Sequence, residues 1–299
     1  MDQMANELAQ FSQVETWVPL KNMTTLRIGG RAHYVCYPEN TVALDSIMKM
    51  IEKAGLPYKM FGKGSNLLCS DDDFEGVVIR LDRHFNDFYF KGTTVIAQAG
   101  CSIIVLANEC MKNGLSGLEF ASGIPATVGG TAYMNAGAYK SSMSDVIDSV
   151  FIYRNGRFEW IPVSECEYSY RTSVFQKQPD WIIIAVRMQL KQGDPDEIRD
   201  LMERRRERRM SSQPLDKPSC GSVFHNPENV PAWKLIEGIG YRGHRVGGAK
   251  VSEKHVNFIV NEDHANAEDF LSLVTEIQQK VKEQYGVDLH MEVEKFNWR

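Results

Sequence analysis

Apolar positions along the chain recur with two different periods. "NTVALDSIMKMIEKAG" puts Leu44, Ile47, Met48 and Ile51 on one helical face, with Asn40 or Thr41 as the cap and Gly55 just past the end. "CSIIVLANECMKNG" repeats the device between Ser102 as cap and Gly114 as stop. Around these helices the runs become β-branched, aromatic or alternating. "HYVCY" (His33 to Tyr37), "VVIRL" (Val77 to Leu81) and "TTVIAQAG" (Thr93 to Gly100) predict strands bounded by turn residues. "FIYRNGRFEWIPV" carries Asn155-Gly156 between two apolar runs, which predicts a hairpin, and "WIIIAVRMQL" predicts a further strand.

A charged helix follows in "PDEIRDLMERRRERRM", with Ile198, Leu201 and Met202 on its apolar side, and "SSQPLDKPS" then breaks the period at a natural domain boundary. The last third reads α/β. "AWKLIEGIG" predicts a short helix and "HVNFIV" a strand. In "NAEDFLSLVTEIQQKVKEQYG" the strongest helical stripe, Phe270, Leu273, Val274, Ile277 and Val281, ends at Gly286. At 299 residues the chain is long for one core, so two or three domains are expected.

Charge and composition narrow the classes. With 43% apolar and 24% charged residues the chain reads as an ordinary globular protein, and a net charge of −5 argues against nucleic acid as the main partner. Five Arg among the six residues Arg204 to Arg209 are the exception; with Glu203 and Glu207 interspersed they read as a solvated helix face rather than a phosphate-backbone site. No apolar run reaches the roughly 18 residues of a membrane helix, and "MDQMANELAQFSQVE" lacks the basic and apolar regions of a secretory signal, so a cytoplasmic enzyme without a membrane partner is expected. The six cysteines are scattered without metal-ligand or disulfide spacing and read as small buried hydrophobes, so no metal is expected.

Two small-residue segments carry the candidate chemistry. "LEFASGIPATVGGTAYMNAGAYK", Leu118 to Lys140, has no charge between Glu119 and Lys140, and nearly half of that stretch is Gly or Ala. It is too polar for a bilayer and too glycine-rich for a core helix, which leaves loop-rich backbone that must approach something closely. "FGKGSNLLCSDDDFEG", Phe61 to Gly76, follows an extended stretch and offers backbone N–H groups to an anion. It is neither a Walker A nor a complete GxGxxG, and alone it would pass for a β-turn. Paired with Ala121 to Ala138, whose Gly129-Gly130 and Asn135 can line a second wall, it fits a dinucleotide held between two non-Rossmann loops better.

Six stretches in order resemble the UDP-N-acetylenolpyruvoylglucosamine reductase family. They are "TTLRIGG" from Thr24, "GKGSNLL" from Gly62, "ASGIPATVGGTAYMNAGAY" from Ala121, "YSYRTSVF" from Tyr168, "CGSVFHNP" from Cys220 and "GGAKVSEKHVNFIVN" from Gly247. The resemblance, to the shorter form of the family, runs from "NMTTLRIGG" to "LHMEVEKF". It implies an α+β chain: a two-subdomain FAD-binding fold of the vanillyl-alcohol-oxidase (PCMH) type, plus a C-terminal α/β substrate domain. The implied boundaries are 1–81 for the first FAD subdomain, joined by the C-terminal strand 290–299, 82–206 for the second, and 207–289 for the substrate domain. One departure is Lys140, where the family usually carries Gly after "NAGAY".

The resemblance further implies non-covalent FAD, NADPH as co-substrate and a UDP-sugar substrate whose enolpyruvyl ether is reduced in peptidoglycan precursor synthesis. FAD contacts carry over to Gly62, Lys63, Gly64, Ser65, Asn66, Leu67 and Leu68, and to Ser122, Gly123, Ile124, Val128, Gly129, Gly130, Asn135, Ala136 and Gly137. Three catalytic positions match. Arg171 would face the substrate carboxylate with its fixed fork, Ser222 would donate a proton, and Glu292 would act on the enolate's other side as a protonated carboxyl or through a water. Tyr139, Tyr170, Asn226 and His255 are the weaker candidates for substrate contact. The Ser222-x-x-His225 spacing could suggest a hydrolase pair, but no GxSxG elbow surrounds it. The alternatives are a flavin oxidase or dehydrogenase of the same fold acting on an alcohol or hydroxy acid, which would want a base, and a flavin-binding protein without turnover.

Overall fold

Two separate hydrophobic cores organise the chain in the computed structural model, which describes residues 2–298. Each belongs to one compact unit. The first unit is Met1–Thr16, Tyr34–Lys63 and Glu75–Glu207; the second is Trp17–His33, Gly64–Phe74 and Arg208–Arg299.

The first unit holds a five-stranded antiparallel sheet, in the order Arg157–Pro162, Ile147–Arg154, Ile182–Gln189, Thr94–Gln98, Phe88–Lys91. Its first hairpin turns at Asn155-Gly156, both at positive φ (49° and 72°), with Arg154 paired to Arg157, as the dipeptide predicted. A second sheet runs Ser12–Pro19, Arg31–Pro38, Phe74–Arg80, Tyr58–Phe61, its last pair parallel with Tyr58 opposite Val77. Helix Thr41–Ala54 connects two of these strands. Asn40 caps it by accepting from Ala43 N–H, Leu44, Ile47, Met48 and Ile51 are buried, and Gly55 closes it in the left-handed conformation.

The small-residue segment departs from its reading as loop. Val128–Tyr133 is a short helix that contains both Gly129 and Gly130. The low propensity of glycine is overridden by packing: a Cβ on Gly129 would sit 2.8 Å from the Ala99 Cβ, so glycine lets this helix approach the residue that follows strand Thr94–Gln98.

In the second unit, helix Ala267–Tyr285 buries the predicted stripe Phe270, Leu273, Val274, Ile277 and Val281 and ends at Gly286 with φ +69°. It belongs to the same core as helix Ala232–Gly238 and the antiparallel sheet Arg245–Val246, Ala249–Val251, Ile259–Asn261. "HVNFIV" is only partly a strand: His255 to Phe258 form a turn, closed by Phe258 N–H on the His255 carbonyl, and the strand starts at Ile259. The chain's last strand, Glu294–Phe296, lies parallel to Leu67–Cys69, with Glu294 opposite Leu67. Among the described residues no helix is long and apolar enough to cross a membrane.

Candidate active site

The GKGSN turn is built around one residue that only glycine suits. Gly64 is buried at φ +61°, and a Cβ there would fall onto the Met23 carbonyl and lie 2.8 Å from Thr24 Cα. Gly62 has a comparable limit, since its Cβ would lie 2.7 Å from Thr127 Oγ1. The glycines are thus demanded by the chain's own backbone before any ligand arrives. What the turn leaves for a ligand is donors: the N–H groups of Lys63, Gly64 and Ser65 find no acceptor among the described residues. Such a cluster of open N–H groups fits a diphosphate. Lys63 is exposed, its ammonium 3.9 Å from Asp82, while Leu67 and Leu68 are buried.

The second small-residue segment differs at its helix start. Thr127 accepts from Gly130 N–H, and the Val128 and Gly129 N–H groups reach the Cys101 and Ala99 carbonyls, so these donors are met within the unit. Ser122 bonds the Glu119 carbonyl, and Ile124 N–H closes the Ser122-Gly123 turn on Ala121. Asn135, buried at φ +43°, donates to the Ser169 carbonyl and accepts from Ser144 N–H. Ala136 bonds Thr131 and Met143 through its main chain, and a Cβ on Gly137 would fall onto the Ser141 carbonyl.

Arg171 is brought to this segment. It sits at φ +56° in a turn closed by reciprocal bonds between Ser169 and Thr172, and its guanidinium donates to the Gly137 carbonyl (2.7 Å) and the Asn135 carbonyl (3.5 Å). A non-glycine residue held in the left-handed region is a feature that accumulates at functional sites. Tyr170 next to it is 55% exposed, with the guanidinium 5.2 Å from its ring. Tyr139 donates its hydroxyl to the Arg205 carbonyl, and the Arg205 guanidinium lies 4.8 Å over its ring.

Ser222 and Glu292 both lie in the second unit, on neighbouring segments. Gly221 turns at φ +83°; Phe224 then bridges Met291 in antiparallel fashion, with Glu292 N–H on the Val223 carbonyl (2.8 Å) and His225 N–H on the His290 carbonyl (2.9 Å). Asn66 of the GKGSN turn joins them, donating its amide to the Glu292 carbonyl (3.1 Å) and accepting from Glu294 N–H. On the other side Asn257, only 4% exposed, accepts from Phe224 N–H (3.0 Å), donates to the Phe224 carbonyl (2.9 Å) and receives Val223 N–H on its own carbonyl. The chain just after Ser222 is therefore clamped from both sides. Asn226 uses its side-chain carbonyl to accept from Ala232 N–H. His255 accepts from Asn257 N–H at Nδ1, and burial holds its pKa below the ordinary value, which leaves the neutral ring with its proton on Nε2. Cys220, beside the turn, is buried and its thiol is pushed up to about 12, so it is inert as a nucleophile.

A family model described as "FAD binding domain" matches residues 32–160, and one described as "UDP-N-acetylenolpyruvoylglucosamine reductase, C-terminal domain" matches 213–296. A UDP-N-acetylenolpyruvoylglucosamine reductase of Anoxybacillus flavithermus is 42% identical over 297 residues, 98% of each chain. The crystal structure of UDP-N-acetylenolpyruvylglucosamine reductase from Thermus caldophilus superposes with a TM-score of 0.83 at 36% identity, covering 96% of this chain and all of that one. The chain belongs to the UDP-N-acetylenolpyruvoylglucosamine reductase family. Its cofactor is FAD. The fold is also shared at low identity: Phl p 4.0202, a glucose dehydrogenase, superposes with a TM-score of 0.51 at 13% identity over 65% of this chain and 45% of its own.

Within the family frame, the FAD-binding match contains the GKGSN turn and the small-residue segment, and the C-terminal match contains Ser222, Asn226, His255 and Glu292. Arg171 falls between the two. Sequence reasoning passed over Asn257 and Thr127, whose side chains hold Phe224, just after Ser222, and the start of the Val128 helix. The signal for Asn257 was available: an amide between Val256 and Phe258 in an apolar run has to find internal partners.

Proposed function

We propose that the protein reduces the enolpyruvyl ether of UDP-N-acetylglucosamine enolpyruvate to UDP-N-acetylmuramate, with NADPH as co-substrate, in cytoplasmic peptidoglycan precursor synthesis. The observation that carries this reading is the near-full-length likeness to reductases of that name, together with a Ser222 segment tied to the Glu292 segment. FAD, when bound, would supply the hydride chemistry that links NADPH to the terminal enolpyruvyl carbon. The rest falls to the chain's own residues. The open N–H groups of Lys63, Gly64 and Ser65 hold the diphosphate, and the remaining FAD contacts come from Gly62, Asn66 to Leu68 and the 122–137 segment. Arg171 faces the substrate carboxylate and stabilises the charge that develops there; Ser222 donates a proton to the adjacent carbon; Glu292 steadies the enolate from its other side. Tyr139, Tyr170, Asn226 and His255 are assigned to the sugar nucleotide. The division 1–81 with the C-terminal strand 290–299, 82–206 and 207–289 belongs to the same proposal; the cut between compact units at Glu207 and Arg208 supports its boundary at 206/207 alone.

Visible absorbance tests this directly. The purified protein is expected to be yellow, to bleach on NADPH and to recover its colour on addition of the enolpyruvyl sugar nucleotide under anaerobic conditions, and acid precipitation should release the colour. Bleaching without recovery, or recovery driven equally by unrelated acceptors, would overturn the substrate assignment.

A further inference from the structure

The arginine run of helix Pro195–Ser212 reads from sequence as a solvated face, and Arg204, Arg206 and Arg208 are exposed. Arg205 departs from that reading: it is half-buried and meets Tyr139 twice. Its main-chain carbonyl accepts the Tyr139 hydroxyl (3.0 Å), and its guanidinium lies 4.8 Å over the same ring. The helix supplies no acid for this cation. Glu203 and Glu207 stand two residues away, on other faces, and the positions that share its face, three and four residues away, are Leu201, Met202, Arg208 and Arg209. Among the described residues the guanidinium makes no ion pair and donates no hydrogen bond. Contact with a ring face uses none of its N–H donors, so a charged fork is left unspent beside the hairpin Gly137–Ala138/Ser141–Ser142.

We propose that Arg205 binds the diphosphate of the sugar nucleotide and that Tyr139 holds it in place to do so. The inference rests on the reductase reading of the site. The hairpin connects this cation to the other one which that reading uses: Arg171 donates to the Gly137 carbonyl (2.7 Å), and Tyr139 is two residues on, at most about 7 Å of chain. One hairpin thus carries a guanidinium at its base and another at its tip. The substrate presents a matching pair, an enolpyruvyl carboxylate and a diphosphate on one sugar ring. NADPH has phosphates but no carboxylate, so it matches only half. With its hydroxyl spent on a carbonyl, Tyr139 serves the nucleotide through Arg205 rather than by donating to it. Two contacts between the same two residues also order the guanidinium before the ligand arrives, which lowers the cost of binding. Lys140, exposed at the tip, adds a further positive charge there.

Calorimetric binding of UDP and of uridine to the oxidised holoenzyme isolates the phosphate contribution, because damage to the fold weakens both ligands alike. Arg205→Met keeps an unbranched stem over the ring and removes the charge. The preference for UDP over uridine is expected to fall about tenfold or more, the scale of a charge-assisted hydrogen bond. Arg205→Lys should recover part of that preference, and Tyr139→Leu, which takes away ring and hydroxyl together, should lower it as Arg205→Met does. An unchanged preference in Arg205→Met or Tyr139→Leu, or no recovery with lysine, overturns the inference. So does a rise in the half-saturating NADPH concentration as large as the loss on UDP, since the phosphate contact would then not be particular to the sugar nucleotide. Should the enolpyruvyl sugar nucleotide fail to reoxidise the wild-type flavin, the reductase reading falls and this inference with it; wild-type reoxidation with an unchanged preference in Arg205→Met sinks the inference alone.

Discussion

At the scale of single residues, the backbone explains one departure from the family pattern. Gly137–Ala138 and Ser141–Ser142 pair antiparallel, and the two residues between them, Tyr139 and Lys140, both adopt positive φ (55° and 64°). This is the geometry of a two-residue I′ hairpin loop, whose second position favours glycine. Tyr139 is retained there by its bond to the Arg205 carbonyl and the guanidinium over its ring, whereas Lys140 is exposed. A left-handed conformation costs an L-residue about 1–2 kcal/mol, and glycine gives back about 0.5–1 kcal/mol through its larger freedom in the unfolded chain. Lys140→Gly is therefore expected to stabilise the protein by roughly 0.5–1 kcal/mol, read as a higher urea midpoint at unchanged slope. A lower midpoint would mean that Lys140 makes a contact worth more than the strain. Gly64 presents the opposite case: with Met23 and Thr24 against its missing Cβ, any side chain there disturbs the turn itself, so flavin loss in such a variant would not isolate a contact with FAD.

At the scale of elements, the long helices and the hairpin were legible because their information is local. An apolar stripe, a cap and a left-handed glycine all lie within Thr41–Ala54 or Ala267–Tyr285 and their flanks. Elements decided by distant partners were not. Val128–Tyr133 depends on Ala99 being small, and the 255–258 turn is apolar because it is buried, not because it is extended. The site divides the same way: the motifs located its segments by likeness, but which N–H groups stay open and which are spent follows from tertiary neighbours. Asn257 is the sharpest example, since its amide acts as a piece of strand for Phe224. Asn257→Ala would leave a buried N–H and a buried carbonyl without that partner, at about 1–3 kcal/mol for an unsatisfied group, so a loss of roughly 2–4 kcal/mol is expected. The urea midpoint of the holoprotein measures it; a loss under about 0.5 kcal/mol would show that water replaces the amide and that the clamp is dispensable.

At the scale of the whole molecule, the residues assigned to one reaction come from both compact units. Arg171 belongs to the first, and Ser222 and Glu292 to the second; the GKGSN turn itself passes from one to the other between Lys63 and Gly64. Two half-reactions on one cofactor make it possible to ask what each residue serves. Reduction by NADPH requires no proton from the Ser222 hydroxyl, while reduction of the enolpyruvyl group leaves a carbon that must take one. Ser222→Ala is accordingly expected to leave flavin reduction by NADPH near the wild-type rate and to slow reoxidation by the enolpyruvyl substrate about 10²-fold or more, the scale for losing a general acid. Ser222→Cys, with a more acidic proton in the same place, should recover part of the loss. Arg171→Lys should also fail in reoxidation, because an ammonium reproduces neither the fork proposed to face the carboxylate nor the paired bonds to the Gly137 and Asn135 carbonyls. Stopped-flow absorbance of each half-reaction separates these effects. If Ser222→Ala slowed NADPH reduction as much as reoxidation, the hydroxyl would be serving flavin binding or the local fold that Asn257 clamps, and the proton would have to come from another group on the Glu292 side.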